Sequence, residues 1–582
     1  MALNWSDQER VLVLAPHCDD ETLGAGGVIA TLTARGARVW VALMTNGDGF
    51  LAAAAVGRGP LPRRLSPQAY IDLAHVRRQE ARRALAHVGV REEDIFFLGY
   101  PDRGLASMWR DYWDEARPFR SRFTRCRHSP YDDNFTPGAP YAGAAVVRDL
   151  RRLFSECRPR TLIVPHPHDA HGDHWATYCF ATFALASLRL DGEPWADDVR
   201  LLAYLVHRGG WPRPRGLVLR APMVPPAALV ARREGEQWVS VPLAPQAISA
   251  KARALGEYHS QLTLLGRFLL SFVRRNELFD VVAPQLLPAS SSAAIAVDGE
   301  FDDWPAQAVY VADPVRDTLT RSVERSADIK GIGAAWDGEN LYVRLDLQNR
   351  VAAEVGYHLT ACAIFPGGRR RRVHVRLMPP DRVSLRVGWR FVPSHEVAGR
   401  ARADRWEVAL PGSLLGYPKQ LLLGAHTVYR LLTVDRTTWL WLDLGPAPLI
   451  NRSPQGRRTA RGVVYATARR RDLAGAARVF SEGFAASLEH VFGKIPPLAL
   501  VQQIFALLHD AEPDGLIIAR RGSDVIGYIF CPSSLRRLWR TALLRGHLFR
   551  WALGWLQGTY RFGFAPLAVL LTDKVHFLRS AM

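Results

Sequence analysis

Two short loops of the sequence concentrate the residue types that bind metals and move protons. The first covers residues 17–21 (HCDDE), and the second covers residues 166–174 (HPHDAHGDH). Divalent ions such as zinc take imidazole and carboxylate ligands, and a catalytic zinc keeps three protein ligands and one open position for water. The density of histidines and acids in both loops therefore predicts a hydrolytic metal centre.

Within these loops, His17, Asp20 and His174 can supply two nitrogens and one oxygen to a divalent ion. Asp19 then lies close to the metal water without binding the metal, and a carboxylate in that place can act as general base. The alternative is that these residues are ordinary loop polar groups, helix caps and solvated acids. The position of both loops directly after predicted strands favours a site over that alternative.

The elements that would position the two loops alternate between strand and helix patterns. Apolar runs at 10–15, 37–44 and 161–165 are typical of buried strands, and residues 71–88 have a helical pattern. Continuous apolar strands that alternate with helices predict an α/β fold with a Rossmann-like parallel sheet. In such sheets ligands bind beyond the carboxyl ends of the strands, where both loops fall.

A glycine cluster after the first loop allows a rival interpretation as a dinucleotide-binding turn. Gly24, Gly26 and Gly27 open the helix, and Asn46 and Asp48 follow the second strand. Three consecutive acids before the helix would repel a pyrophosphate, and the glycines depart from the G-x-G-x-x-G spacing. We therefore expect these glycines to allow close packing of the helix.

The length of 582 residues exceeds one hydrophobic core, which stops growing at roughly 250–300 residues. Small, Pro-rich and polar stretches near positions 288 and 455 are typical of domain boundaries. They divide the chain into three predicted domains, which cover residues 1–287, 295–448 and 460–582.

The second and third predicted domains differ from the first in pattern. Short alternating runs such as 341–347 and 372–377 predict an all-β sandwich in the middle domain. The last domain has a helical pattern over 472–489 and a hairpin pattern over 515–530, which predicts a small α+β fold.

The formal net charge of +19 raises the possibility of nucleic-acid binding. Only five of the 75 basic residues are lysines, and the arginines are scattered without a nucleic-acid-binding motif. We therefore expect no nucleic-acid partner, and we interpret the run Arg369–Arg372 as a solvated hairpin turn. The absence of C-x-x-C spacing, of a signal-peptide pattern and of a long apolar segment predicts a cytoplasmic protein with no membrane span.

Several motifs together resemble the PIG-L/LmbE-like deacetylase family over roughly residues 8–285. Residues 15–24 (APHCDDETLG) are similar to the family's A-H-P-D-D-E signature, with Cys18 in place of the usual proline. We expect that cysteine to be a small buried residue. Further matching segments are 45–48 (TNGD), 77–80 (RRQE), 97–102 (FLGYPD), 171–174 (HGDH), Lys251 and 259–261 (HSQ).

The resemblance implies a hydrolase that uses Zn²⁺ or another divalent metal to remove acetyl from N-acetylglucosaminyl groups. It implies that His17, Asp20 and His174 bind the metal and that Asp19 is the general base. It also implies that the site stabilises the oxyanion or protonates the amine through His171.

The same resemblance implies positioning and substrate roles for further residues. Asp173 is expected to orient His171, and Arg77, Asn46 and Asp102 are candidate substrate-binding residues.

The other two domains show weaker resemblances. The middle domain is similar to family-nine-type carbohydrate-binding and DOMON-like modules, in which Trp304, Trp336 and Trp389 either stack on sugars or belong to the core. The last domain resembles part of a GNAT-type acetyltransferase but lacks the loop that binds the pyrophosphate of coenzyme A.

Taken together, these patterns predict a metal-dependent amide hydrolase that removes an acetyl group from an N-acetylated sugar or glycoconjugate. Two alternatives stay open. One is a non-catalytic glycan-binding protein with a vestigial metal site, and the other is a bifunctional deacetylase and acyltransferase. The oligomeric state is left open by the sequence.

Overall fold

A computed structural model describes most of the chain, which divides into two compact units, Met1–Ile450 and Asn451–Met582. The described residues are 5–6, 9–50, 53–54, 65–230, 238–290, 295–315, 325–388, 390–392, 396–445, 463–485, 488–489, 495–512, 515–521, 524–530 and 535–558. Among these residues, no helix has the length and apolar character needed to cross a lipid bilayer.

The first unit begins with a seven-stranded sheet in the order β3-β2-β1-β4-β5-β7-β6. The first five strands in this order are parallel, and β7 runs antiparallel to both β5 and β6. This arrangement confirms the predicted α/β fold with a mostly parallel sheet. The strands are β1 (Arg10–Ala15), β2 (Arg38–Thr45), β3 (Ile95–Tyr100), β4 (Thr161–Pro165), β5 (Arg200–Tyr204), β6 (Trp238–Pro242) and β7 (Asn276–Val282).

Helices cover both faces of this sheet, which explains why its strands are apolar throughout. Leu12 and Leu14 of β1 pack into the core on one face, while Val11 and Val13 pack into the core on the other. The helices are α1 (Asp20–Ala34), α2 (Pro67–His87), α3 (Leu105–Arg110), α4 (Gly143–Cys157), α5 (Gly172–Leu190), α6 (Pro194–Asp197), α7 (Ala227–Val230), α8 (Pro245–Gly256) and α9 (His259–Leu269).

The glycines of α1 lie against neighbouring side chains, as the sequence predicts. A Cβ atom on Gly24 would lie 2.2 Å from Cδ2 of Tyr204, and one on Gly27 would lie 2.3 Å from Cδ1 of Leu243. Both distances are too short for any side chain. The glycines therefore bring α1, and the loop that precedes it, close to the sheet and to the segment before α8.

The middle segment forms two sheets that share one apolar core, in agreement with the predicted β-sandwich. The five-stranded sheet has the order β16-β17-β11-β10-β9, and the eight-stranded sheet has the order β15-β14-β13-β12-β18-β20-β8, with β19 paired to β18. All pairs are antiparallel except β20 with β8.

The strands are β8 (Gln285–Leu287), β9 (Val309–Ala312), β10 (Ile329–Trp336), β11 (Asn340–Leu347), β12 (Val355–Phe365), β13 (Arg369–Met378), β14 (Arg382–Val387), β15 (Arg390–Val392), β16 (Ala398–Arg402), β17 (Arg405–Pro411), β18 (Gln420–Tyr429), β19 (Leu432–Arg436) and β20 (Leu440–Leu444). The short helix α10 (Gly412–Leu415) follows β17.

The candidate sugar-stacking tryptophans have different surroundings. Trp336 is buried in the sandwich core, so the core interpretation holds for it. Trp304 is half-buried, and its indole N–H donates to Glu407 at 2.7 Å. Trp389 lies outside the described residues. Sugar binding by this domain stays a prediction.

The predicted turn at Arg369–Arg372 is wrong, because these residues begin strand β13; Arg369 and Arg371 are exposed, whereas Arg370 and Arg372 contact the α/β fold. The guanidinium of Arg370 lies 3.5 Å from the ring centre of Trp113 and donates to the carbonyl of Trp109 at 2.7 Å. Part of the positive charge therefore lies at an interface within the first unit.

Within its described residues, the second unit contains a three-stranded antiparallel sheet in the order β21-β22-β23, together with helices. The predicted hairpin corresponds to β22 and β23. The first helix of the predicted helical stretch ends at Gly483, and residues 485 and 488–489 are again helical. The elements are β21 (Val463–Thr467), α11 (Leu473–Gly483), α12 (Leu498–Ala511), β22 (Leu516–Arg521), β23 (Asp524–Phe530), α13 (Leu535–Leu544) and α14 (His547–Leu556). The GNAT-like resemblance stays a prediction.

Candidate metal and hydrolase site

The loop between β1 and α1 holds Asp19 in an unusual backbone conformation. Its φ of 143° lies in a region that L residues rarely adopt. The backbone N–H of Asp19 donates to the carboxylate of Glu21 at 3.1 Å, and that carboxylate is in turn bound by the hydroxyls of Thr22 and Tyr258. Such conformations persist where surrounding contacts enforce them, and they cluster at functional sites.

The three predicted metal ligands converge on one carboxylate oxygen. Oδ2 of Asp20 lies 3.0 Å from Nδ1 of His17 and 3.0 Å from Nε2 of His174. Ligand atoms that share a tetrahedral zinc at 2.0–2.1 Å lie roughly 3.3 Å apart. The two loops, which follow β1 and β4, therefore place one nitrogen of each histidine 3.0 Å from the same oxygen of Asp20, close to the separation of two ligands on one divalent ion.

His174 is fully buried, and its ring nitrogens make no hydrogen bond of normal geometry with the described residues. Nδ1 nevertheless lies 3.1 Å from Oδ2 of Asp169. A second carboxylate on the far nitrogen is the arrangement that fixes the orientation and basicity of metal-binding histidines. A buried imidazole whose nitrogens lack hydrogen bonds fits a metal better than it fits a core position.

The second nitrogen of His17 also lies beside carboxylates. Nε2 is 3.3 Å from Oδ1 of Asp102 and 3.3 Å from Oδ2 of Asp173. Asp102 was predicted to bind substrate, and it does line the cavity. One of its carboxylate oxygens contacts His17, and the other, Oδ2, accepts from the N–H of Gly49 at 2.8 Å. Its observed contacts are those of a residue that positions His17.

The predicted orienting role of Asp173 toward His171 stays a prediction. Its carboxylate accepts from the N–H groups of Arg103 and Leu105 at 2.5 and 3.1 Å and lies beside His17. Only its backbone N–H contacts His171, where it donates to Nδ1 at 3.3 Å. This bond places the proton of a neutral His171 on Nε2, which leaves an N–H donor for a ligand.

Arg77 lines the cavity and binds protein groups, and its predicted substrate role stays a prediction. Its guanidinium donates to the carbonyls of Cys18 at 2.7 Å and Gly47 at 3.2 Å, and it lies 3.3 Å from Oδ2 of Asp19. Arg77 therefore holds the loop after β1 and one oxygen of the predicted base. Cys18 is buried, as expected.

Asn46 is fully buried and is not among the described residues that line the cavity. Neither its amide nitrogen nor its amide oxygen has a hydrogen-bond partner in the described part of the chain. The neighbouring Asp48 accepts from Tyr131 at 2.9 Å and from the N–H of Asp102 at 3.1 Å. This placement gives no support to the predicted substrate contact of Asn46.

His207 is a site residue that the sequence patterns did not reveal. It follows β5, its ring centre lies 4.7 Å from that of His174, and it stacks on Phe268. Asp169 was likewise not assigned a role, although it lies within the second loop. The signal for both is a polar side chain just beyond the carboxyl end of a strand in a parallel sheet.

Burial and mutual charge set the protonation of the ligands. Burial raises the pKa of Asp20, but the charge of His174 and the hydrogen bond of His17 outweigh it and hold that pKa well below its usual range. Burial lowers the pKa of His174, yet Asp169 and Asp20 raise it to about 10. Burial likewise lowers the pKa of His17, but the negative charge of Asp102 outweighs this effect and raises the pKa of His17 above its usual value.

The two catalytic candidates are shifted in different ways. Burial raises the pKa of Asp19 to about 8, against the opposing charge of Arg77. Burial and the charge of His17 lower the pKa of His171 to about 4, so this imidazole is neutral near pH 7. A weakly acidic carboxyl beside a neutral imidazole is suited to proton transfer and hydrogen bonding near neutral pH.

The site opens into a cavity of about 170 Å³. Both polar and apolar residues line it, which suits a ligand with both polar and apolar surfaces. The lining residues are His17, Asp19, Asp20, Leu23, Phe50, Arg77, Asp102, Arg103, His171, His207, Gln261, Leu265, Phe268 and Leu269.

Comparison with known proteins gives a family match for this part of the chain. Residues 12–185 match the family model PIG-L, described as GlcNAc-PI de-N-acetylase. A protein of Bacillus cereus described as a probable N-acetyl-alpha-D-glucosaminyl L-malate deacetylase is 29% identical over 163 residues, which are 26% of this chain and 66% of that protein.

A second relative, of Mycolicibacterium gilvum, is described as a 1D-myo-inositol 2-acetamido-2-deoxy-alpha-D-glucopyranoside deacetylase. It is 30% identical over 182 residues, which are 30% of this chain and 54% of that protein. This chain thus spans less than two thirds of the length of either relative.

Among solved structures, an N,N'-diacetylchitobiose deacetylase from Pyrococcus horikoshii matches with 18% identity and a TM-score of 0.29. The match covers 47% of this chain and 84% of that protein.

Proposed function

We propose that the PIG-L domain in residues 12–185, completed by the elements up to about residue 285, is a metal-dependent N-deacetylase of an N-acetylated amino sugar or glycoconjugate. The observation that carries this proposal is the convergence of His17 and His174 on one oxygen of Asp20, with Asp19 beside them at the cavity.

The donor set of His17, Asp20 and His174 suits Zn²⁺ or another divalent ion, because two imidazole nitrogens and one carboxylate oxygen leave a position open for water. Such an ion would polarise the amide carbonyl and make a bound water more acidic. The surrounding carboxylates of Asp102 and Asp169 lie beside the outer nitrogens of the two histidines and hold their orientation.

Asp19 accepts the proton of the attacking water in this proposal. Arg77 lies beside Oδ2 of Asp19, which leaves Oδ1 for the proton. The same carboxyl then donates this proton to the amine that leaves, so no covalent intermediate with the protein is needed. The enforced backbone of Asp19 keeps its side chain beside the ligand Asp20 without adding it to the donor set.

His171 stabilises the tetrahedral oxyanion in this proposal. Its Nδ1 accepts from the backbone of Asp173, so its Nε2–H can donate to an oxygen in the cavity. A neutral imidazole donor retains its proton when the oxyanion collapses, as an electrostatic stabiliser should. The low pKa of His171 supports this role over that of the acid that protonates the amine.

The substrate class rests on the descriptions of the two relatives. Both name a deacetylase that acts on an N-acetylated glucosamine unit, although the second part of the substrate differs between them. The acetamido sugar is the shared element, and it is the part that this site would have to bind. We therefore propose an N-acetylated amino sugar, with the attached group left to experiment.

The first experiment measures amine release from a panel of N-acetylglucosaminyl compounds, with and without a chelator. Asp19→Asn removes the proposed base, and Asp72→Asn on the exposed face of α2 is the matched control. We expect metal-dependent release by the wild type and the control, and loss of at least about 100-fold in Asp19→Asn at unchanged metal content. Failure of fully metal-loaded protein across the panel would favour the non-catalytic glycan-binding alternative.

A further inference from the structure

A second, smaller cavity of about 60 Å³ lies between the α/β fold and the outer face of the eight-stranded sheet. Three arginines line it: Arg110 from α3, Arg372 from β13 and Arg436 from β19. Trp175 and Trp439 form apolar walls, and no acidic residue is among the described residues that line the cavity. The cavity therefore concentrates positive charge in a confined space.

In the described part of the chain, none of the three guanidinium groups forms an ion pair with a carboxylate within 4.0 Å, although Asp169 and Asp435 lie near Arg436 and Asp111 lies near Arg110. Arg436 donates to the backbone carbonyl of Asp169 at 3.1 Å, and Arg372 donates to the backbone carbonyl of Arg110. The guanidinium of Arg110 makes no hydrogen bond with the described residues and stacks on Trp175 at 4.9 Å. The three arginines are partly buried, and a counter-charge would offset the cost of removing their charges from water.

Arg436 and Arg110 stack on the same indole, since Arg436 lies 5.1 Å from the ring centre of Trp175. The two like charges are thus held near each other by one aromatic ring. Burial and the charge of Arg110 lower the pKa of Arg436 to about 10. Both observations indicate a positive potential, which the nearby carboxylates of Asp169 and Asp435 offset only in part.

The strand register extends this positive potential along the sheet. His426 lies opposite Arg436, and His374 lies opposite Arg386. His358 lies opposite Arg376 on β13. Paired residues of neighbouring strands point to the same face, so each histidine shares the outer face with an arginine.

The three histidines also have the spacing of a possible metal site. One nitrogen from each of His358, His374 and His426 lies within 4.8 Å of the others, and Nδ1 of His358 is 3.2 Å from Nε2 of His374. The arginines opposite them would repel a divalent cation. Burial, with the charge of Arg376, lowers the pKa of His358 to about 4, so these imidazoles add no charge near pH 7.

We propose that the cavity formed by Arg110, Arg372 and Arg436 binds a small oxyanion group, either a carboxylate, a phosphate or a sulfate. Planar guanidinium groups bind such groups through paired N–H donors. Since one water occupies roughly 10–15 Å³ on the same scale, the cavity holds about four to six heavy atoms, which is enough for the five of a phosphate or sulfate or the three of a carboxylate group.

Two sources share this chemistry: a free inorganic anion and an acidic substituent on a sugar. The test uses the full chain in the presence of a chelator. The chelator removes any metal ion bound at His17 and His174, because such an ion could itself bind the added anion. Thermal unfolding and calorimetry are recorded with sodium phosphate, sodium glucuronate and sodium chloride at equal ionic strength. The cavity variants are Arg110→Met and Arg372→Met, and the control is Arg382→Met, an exposed arginine of β14.

We expect phosphate to raise the Tm of the wild type and of Arg382→Met by about 2–6 °C in a saturable way. The cavity variants should bind at least about 10-fold more weakly, because each loses a charged hydrogen bond. A response to phosphate alone identifies a free anion, and an added response to glucuronate identifies an acidic sugar. Either result supports the site.

Three results would overturn the proposal. The first is a phosphate response no larger than that of chloride. The second is an unchanged response in both cavity variants, with Arg372→Lys tested as well in case Arg110→Met fails to fold. The third is binding of zinc by the wild type that His358→Ala abolishes, because this would show that the sheet face attracts cations.

Discussion

Oδ2 of Asp169 lies 3.1 Å from Nδ1 of His174, on the side of the ring that faces away from Asp20. The same carboxylate oxygen accepts from the N–H groups of Val206 and His207 at 3.0 and 2.9 Å, so β5 and its following loop hold it in place. The orientation of a ligand from the loop after β4 thus depends on the end of the neighbouring strand. This dependence connects the sheet to the proposed metal chemistry.

Replacement of Asp169 by Asn should weaken metal binding without removing a ligand. The amide keeps the shape of the carboxylate but loses its charge, so His174 becomes a weaker and less fixed donor. We expect metal affinity to fall about 10–100-fold, as is typical for such carboxylates. Competition with a chromophoric chelator measures this change.

Asp94→Asn is the matched control for this experiment. Asp94 is also buried and pairs with Arg38 and Arg91, but it lies at the amino end of β3, away from the site. We expect it to lower stability and to leave metal affinity unchanged. Equal affinities of Asp169→Asn and the wild type would show that the contact with His174 has no influence on the metal.

The metal-free protein should lose stability as the pH rises from about 6.5 to about 10. The pKa of His174 is raised from 6.5 to about 10 in the folded state by Asp169 and Asp20, against the effect of burial. A raised pKa stabilises the fold fully below the unfolded value and loses that contribution as the pH passes the folded value. Burial raises the pKa of Asp19 to about 8, so this carboxyl group also lowers the stability of the fold as the pH rises, up to about pH 8.

Denaturant unfolding of metal-free protein at several pH values measures this loss. Its slope should reach about 1.4 kcal/mol per pH unit for each proton that unfolding releases. In metal-loaded protein the ion takes the place of the protons on His174 and His17, so the slope should be much smaller. A flat profile without metal would contradict the charge network described for these ligands.

Replacement of Arg77 by Lys should separate a positioning role from a substrate-binding role. Lysine cannot reach the carbonyls of Cys18 and Gly47 and the carboxylate of Asp19 together, because it lacks the forked guanidinium. We expect kcat for the amine-releasing reaction to fall about 10–1000-fold with a small change in KM. A raised KM with unchanged kcat would instead support the substrate contact predicted from the sequence.

The sequence was sufficient for the main features of the α/β fold. The runs at 10–15 and 161–165 are apolar on both sides, and this property belongs to strands covered by helices on two faces. Their neighbouring positions in a parallel sheet bring His17 and His174 to one edge. The closeness of the three candidate ligands could therefore be predicted from residue type and strand order alone.

Contacts that depend on other loops could not be predicted in the same way. The partners of Arg77 and Asp173 are backbone groups of distant segments, and the residue types alone do not specify these segments. Arg370 was assigned to a solvated turn because a basic run beside two glycines is typical of one. Its burial depends on Trp113, which packs there only in the folded interface.

Replacement of Gly24 by Ala should destabilise the fold and weaken metal binding, since the added Cβ would lie 2.2 Å from the ring of Tyr204. Tyr204 is fully buried, and its hydroxyl donates to the carbonyl of Leu14 at 3.0 Å, so the ring cannot move away freely. Either α1 shifts and carries Asp20 with it, or β5 moves. We expect a loss of about 3 kcal/mol in the free energy of unfolding, measured by denaturant titration.

Gly256→Ala provides the contrast, because it adds the same methyl group to a helix where the new Cβ meets nothing within 4 Å. Alanine is a better helix former than glycine, so this variant should be neutral or stabilised by up to about 1 kcal/mol, with unchanged metal affinity. If both variants lost stability equally, the loss would come from adding a methyl group to a helix, and not from the contact with Tyr204. A loss confined to Gly24→Ala, together with weaker metal binding, would show that the close approach of α1 to Tyr204 sets the position of the Asp20 carboxylate.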